Sequence, residues 1–145
     1  MTEAQLHRQV AGFLNATLLP PAVWTTMPLG GGGYLRGVRL KAAGARKGWP
    51  DIQILWRDTL NLHLCFAGIE LKTAKKGRVS DAQIDCHAAL RNLDCRVAVC
   101  RSLEDVKDAL DCWHIPLRTV SLATERMTDA IKKLNARVRA AGEVA

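Results

Sequence analysis

Lys47-Gly48-Trp49-Pro50-Asp51, followed after an apolar stretch by Gly68-Ile69-Glu70-Leu71-Lys72, carries most of what the chain says about its fold. Asp51 opens DIQILW, which reads as a strand over 51–56. A second strand is expected over 62–73, and residues 58–61 supply a turn, so the pair reads as an antiparallel hairpin. In the second strand Cys65, Ala67, Ile69 and Leu71 form one face and Phe66, Gly68, Glu70 and Lys72 the other. That second face turns from apolar to charged only at its end, as expected of a strand covered on both sides that emerges into a site. Glu70 and Lys72 leave the same face, while Leu71 between them points into the core. Two carboxylates and an ammonium converging at the ends of adjacent strands can bind a divalent cation and position a water against a phosphodiester.

The charge around this stretch fits a polyanionic partner. Lys plus Arg number 21 against 14 Asp plus Glu, a net charge of +7 with an isoelectric point near 9.5. Arg36, Arg39, Lys41, Arg46 and Lys47 precede Asp51 with no acid among them, and Lys72, Lys75, Lys76 and Arg78 follow Glu70 likewise. A merely solvated face more often mixes signs, so nucleic acid is the expected partner, with Arg46, Lys47, Lys75, Lys76 and Arg78 as phosphate contacts.

A length of 145 residues suits one domain with a core of its own. No apolar run reaches the length of a membrane span, and the opening MTEAQLHRQ lacks a signal peptide's apolar centre, so the expectation is a cytoplasmic protein with no membrane partner. The five cysteines are an odd number without a C-x-x-C pair and read as small buried hydrophobes in a reducing compartment. Cys112 and His114 are too few to define a metal site.

Thr2-Glu3-Ala4-Gln5 is a capping box, and Leu6, Val10, Phe13, Leu14 and Leu18 follow at helical spacing, predicting a helix over 3–17 that ends before Pro20-Pro21. Residues 23–28 read as a short strand, 30–33 as a glycine loop without a Walker lysine, and 34–43 as a helix with Gly44 as its C-cap. Ser80-Asp81-Ala82-Gln83 is a second capping box and opens a helix to about 93. Residues 96–101 read as a strand apolar enough to be central, and Ser102 caps a helix to about 110. Residues 124–141 form an amphipathic pattern with Met127, Ile131, Leu134 and Val138 on one side. The domain organisation is therefore a core over 1–116 and a C-terminal helical extension over 117–145, packed on the core or on a partner copy. The fold class is α/β, a mixed β-sheet flanked by helices.

At GWPD, IELK and SDAQ the chain resembles a VRR-NUC domain, a branch of the PD-(D/E)XK nuclease superfamily, over residues 3 to about 110. The resemblance implies a restriction-endonuclease-like core and Mg2+ or Mn2+ as cofactor. It makes Asp51, Glu70, the backbone carbonyl of Leu71 and Glu3 the metal ligands. Lys72 would orient and polarise the attacking water, and Gln83 matches the glutamine on the helix behind the active strand. Stand-alone proteins of this kind occur in phages and bacteria, which for a phage protein implies host cytoplasm, and some are homodimers that resolve four-way DNA junctions.

Each residue also has a plainer account. Asp51 follows a proline in a turn, Lys72 can be a strand-end salt-bridge partner, and Glu3 is stabilised by the helix dipole. Gln83 is the third residue of a capping box, and His87, four residues on, reads as a structural histidine. Glu70 has the weakest alternative, because a buried carboxylate without a partner is costly. Among the tryptophans only Trp49 lies beside the motif. The expected activity is divalent-metal-dependent hydrolysis of DNA, selective for branched substrates such as four-way (Holliday) junctions and acting in DNA repair. The alternatives are a non-catalytic nucleic-acid-binding module and an accessory subunit of a replication or repair complex.

Overall fold

A computed structural model describes residues 1–27, 33–73 and 77–118. Lys75, Lys76 and the expected helix over 124–141, with the rest of the C-terminal extension, lie outside the described residues. The elements run α1 (Glu3–Thr17), β1 (Val23–Thr26), α2 (Gly33–Ala42), β2 (Ile52–Arg57), β3 (Leu64–Leu71), α3 (Asp81–Arg91), β4 (Arg96–Cys100) and α4 (Leu103–Cys112).

Both expected capping boxes form. Thr2 and Ser80 accept from the backbone of Gln5 and Gln83, and each glutamine reaches back to the cap backbone. Gly44 takes φ +90 beyond α2, as its reading as a C-cap predicts.

The four strands lie in the order β1-β2-β3-β4, with β1–β2 and β2–β3 antiparallel and β3–β4 parallel. The sheet is mixed and the hairpin forms as read. β3 begins two residues later than the pattern suggests. Asp58 accepts from the amides of Leu60 and Asn61, and Leu62 sits at φ +58, so the turn consumes residues that alternation assigns to the strand. β4 is an edge strand among the described residues, not a central one. Its apolar character comes from α3 and α4, which both pack on it, rather than from a strand on each side.

One face of the sheet makes the main core. Ile52, Ile54 and Trp56 from β2 and Ala67, Ile69 and Leu71 from β3 meet Leu6, Val10 and Leu14 of α1 and Val106 and Leu110 of α4. Each such Leu or Ile contributes roughly 2 kcal/mol relative to an exposed side chain. Leu18 and Leu117 form an antiparallel bridge, so the segment after α4 closes back on the end of α1. The opposite face of β3 lies under α3, which buries Cys86, His87 and Leu90. The cysteines are all free thiols but are not uniformly buried. Cys86 and Cys100 are buried, Cys65 and Cys95 half-buried, and Cys112 exposed, because it lies on the outer side of α4.

Candidate active site

The register of the hairpin sets the site. Ile52 pairs with Ile69, so the next step of the antiparallel ladder puts Asp51 across from Glu70. Side chains at such positions have Cβ atoms about 5 Å apart on one face of the sheet. Asp51 is held from three directions. Its carbonyl accepts from the Met27 amide at 2.9 Å and from the Thr26 hydroxyl at 3.0 Å, and its Oδ2 accepts from the Leu71 amide at 2.8 Å. The carboxylate thus fastens itself between Glu70 and Lys72 in β3.

The GWP residues before Asp51 have steric reasons to be what they are. Gly48 adopts φ +85 and lies so close to the first turn of α3 that a Cβ there would overlap the Ala82 carbonyl. Pro50 is buried against β3 at Gly68, where an added Cβ would stand 2.5 Å from the proline Cγ. Trp49 packs edge-on against Phe66, with ring centroids 6.3 Å apart. Its ring is part of the packing on this face of β3.

Glu70 is almost wholly removed from solvent, at 1% exposure. Its Oε1 accepts from the Lys72 ammonium at 2.5 Å and from the side-chain amide of Gln83. Gln83 serves both of its readings at once, because its Oε1 accepts from the Ser80 amide at 2.9 Å while its Nε2 donates to Glu70. The cap therefore fixes the orientation in which the glutamine meets the carboxylate.

The other oxygen, Glu70 Oε2, is buried and has no hydrogen-bond partner. Facing it at 3.9 Å is His87 Nε2, also buried and unpartnered. Burial holds His87 below the usual histidine pKa, aided by the charges of Arg91 and Lys72.

Charge at the site is unbalanced. Burial pushes the Glu70 pKa up to about 7; the Lys72 hydrogen bond opposes this, and the charges of Asp51 and Glu3 add to it. Burial works against the Lys72 ammonium, yet Glu70, Glu3 and Asp51 more than compensate and raise its pKa. Lys72 therefore stays charged. Three carboxylates face one ammonium, and burial of Glu70, with the neighbouring acids, favours a proton on it near neutral pH or a cation in its place.

The structure thus brings Glu3, Asp51, Glu70, Lys72 and Gln83 to one end of the sheet, with Glu3 exposed in the first turn of α1. The side chain of Leu71 is buried, as alternation requires. Arg46, Lys47 and Arg78 are exposed. Among the described residues no group of three His, Cys, Asp or Glu stands ready as a cage for a metal ion. The donors on offer are oxygens, and one of them is buried without a partner. That set fits a hard cation such as Mg2+, which keeps several of its waters and binds through one or two carboxylates.

The comparisons with known proteins bear on the family and the fold. The family model described as "VRR-NUC domain" matches residues 31–104, half of the chain. The chain belongs to the VRR-NUC domain family. A solved structure titled "VRR_NUC domain protein" is similar with a TM-score of 0.60 and 16% identity, covering 77% of this chain and 86% of that one. At that identity the likeness speaks for the fold of this VRR-NUC domain. No curated protein matches. The family is of nuclease type, which makes DNA the substrate class of its fold.

Three residues of this VRR-NUC domain were not singled out from sequence. His7 lies one turn after Glu3 on α1, and its Nε2 is 3.0 Å from the Thr26 hydroxyl. Since that hydroxyl donates to the Asp51 carbonyl, His7 must donate to Thr26, which puts a proton on Nε2. Arg101 donates to the Thr73 carbonyl at 2.8 Å, bracing the chain just after Lys72. The i, i+4 spacing of Glu3 and His7 was a usable signal. Thr26 and Arg101 depend on strand register and leave no local trace.

Proposed function

We propose that this VRR-NUC domain is a divalent-metal-dependent DNA endonuclease. The observation that carries the reading is the pairing of Asp51 with a buried Glu70 whose Oε2 has no partner, beside the charged Lys72. Asp51, Glu70, Glu3 and the Leu71 carbonyl would hold Mg2+ or Mn2+. The bound cation lowers the pKa of a coordinated water and neutralises charge building on the phosphate.

The protein's own groups do the positioning. Lys72 aims the attacking water, or steadies the phosphate, with an ammonium already fixed by Glu70. Gln83 and Lys72 hold Glu70 through Oε1 and leave Oε2 without a hydrogen bond. Arg46, Lys47, Lys75, Lys76 and Arg78 receive the backbone of the substrate. Clustered acids repel phosphate, so a purely binding module has no use for this set.

The substrate is branched DNA, four-way junctions among the candidates, as in DNA repair. Symmetric cuts need two sites, which a homodimer supplies. Residues 117–145 would build that interface or pack on the core, and the setting is the cytoplasm, that of the host for a phage protein. Incubation of labelled linear, flapped and four-way DNA with Mn2+ tests the reading. Cutting that stops with chelator and falls by roughly 100-fold in Lys72→Ala supports it. Tight binding with no cutting of any substrate favours the non-catalytic module. A Lys72→Ala protein as active as the parent refutes the role given to that lysine.

A further inference from the structure

α2 joins the Asp51 side of the sheet to itself. It follows β1 beyond Met27, whose amide bonds Asp51, and returns through Arg46 and Lys47 to Asp51. Every side chain from Tyr34 to Arg39 is exposed, and only Leu40 is partly covered. At 100° per residue, Tyr34, Val38, Ala42 and Leu35 fall on one outward stripe, flanked by Arg39 on one side and Lys41 on the other. Tyr34 is 86% exposed and Leu35 71%. An aromatic and two aliphatic side chains side by side on one exposed helix face, rimmed by basic residues, make the kind of patch that marks an interaction site.

Charge says which partner. No Asp or Glu occurs between Glu3 and Asp51, whereas Arg8, Arg36, Arg39, Lys41, Arg46 and Lys47 all do. Beneath α2 a groove of about 460 Å³ runs along Leu40, Lys41, Ala45, Arg46, Lys47 and Gly48, toward the loop that ends at Asp51. A second copy docked on this face by twofold symmetry would bring together two patches that both carry Arg39 and Lys41 and no acid. A polyanion meets no such repulsion. The other exposed apolar patch, Leu60, Leu62, Leu64 and Leu93, is different. It sits beside Asp58 and Asp94 at the far end of β3, roughly 20 Å from Glu70 by strand rise.

We propose that the outward face of α2 binds base faces that duplex stacking leaves uncovered, in unpaired strands and at the centre of an open junction, with Tyr34 as a stacking platform and Leu35 and Val38 as an apolar wedge. Arg39 and Lys41 hold the adjacent phosphates. Stacking accepts any base, so this face selects strand openings over sequence. Fully paired duplex hides its base faces and gains only the phosphate contacts. The proposal rests on DNA being the substrate and supplies a physical source of selectivity for branch points.

The test is binding of the full chain to labelled DNA in EDTA, followed by fluorescence anisotropy, so that no cutting is needed. Substrates are a four-way junction, a flap, a single strand and a linear duplex. Tyr34→Ala/Leu35→Ala is expected to bind the single strand and the branched forms about 10-fold more weakly, and the duplex unchanged. Tyr34→Trp should restore the stacking and keep parental affinity. Arg39→Ala should weaken all four alike. Parental affinity in the double variant, or equal loss on duplex and branched DNA, overturns the proposal. So does a parent that sediments as a dimer which the double variant converts to monomer, because the face is then a contact between copies. A parent that binds branched DNA through Tyr34 but never cuts it defeats the nuclease reading and leaves this one standing.

Discussion

Gly44 and Gly48 offer a controlled experiment on why the loop before Asp51 is built as it is. Both take left-handed φ, +90 and +85. At Gly44 an added methyl meets nothing within 4 Å, so Gly44→Ala costs only the backbone penalty, roughly 1 kcal/mol. At Gly48 the same methyl overlaps the Ala82 carbonyl oxygen and stands 2.5 Å from its carbon and 2.8 Å from the Gln83 nitrogen. These are backbone atoms of the first turn of α3 and cannot rotate aside. Overpacking of this kind adds about 1–3 kcal/mol, so Gly48→Ala should cost about 2–4 kcal/mol in total. Urea unfolding with an unchanged m-value measures both. Relief of the clash moves the start of α3, and Gln83 with it, away from Glu70. Gly48→Ala should therefore also cut DNA more slowly while Gly44→Ala does not. Equal stability losses at the two positions, or full activity in Gly48→Ala, would refute the steric account.

Glu70 titrates near 4.5 unfolded and about 7 folded, so the folded state holds the extra proton between those values. Its contribution, on the order of 3 kcal/mol at most, is present below pH 4.5 and lost as pH rises through 7. Metal-free protein should lose stability relative to Glu70→Gln from pH 5 to 8, and parallel profiles by thermal melting would contradict this. Thr26→Val removes the hydroxyl bridging His7 to the Asp51 carbonyl and should cost about 1 kcal/mol while weakening Mn2+ binding. Thr26→Ser should restore both; a valine protein with parental Mn2+ affinity would remove Thr26 and His7 from the site.

Much of the fold could be read because its signals are local. Each capping box is settled within four residues, and the hairpin declares itself by alternation and a polar turn. The core and polar faces of β3 follow from spacing alone, and Glu70 and Lys72 emerge together as the period of two requires. What escaped depends on relations between distant residues. The edge position of β4 is hidden because cover by α3 and α4 makes it as apolar as a central strand. The His7–Thr26–Asp51 chain exists only once β1 is registered on β2. The burial of His87 against Glu70 depends on α3 lying over the polar face of β3, which its own sequence does not announce. The reason for Gly48 lies in a helix more than thirty residues later.

If Asp51 and Glu70 together hold a divalent cation, calorimetric titration with Mn2+ will show it without any DNA. The parent at pH 7 should bind with a saturable isotherm and release protons as Glu70 is deprotonated. Asp51→Asn/Glu70→Gln, shown to be folded, should give no saturable binding over the same range. Undiminished Mn2+ affinity in that double variant would contradict the claim.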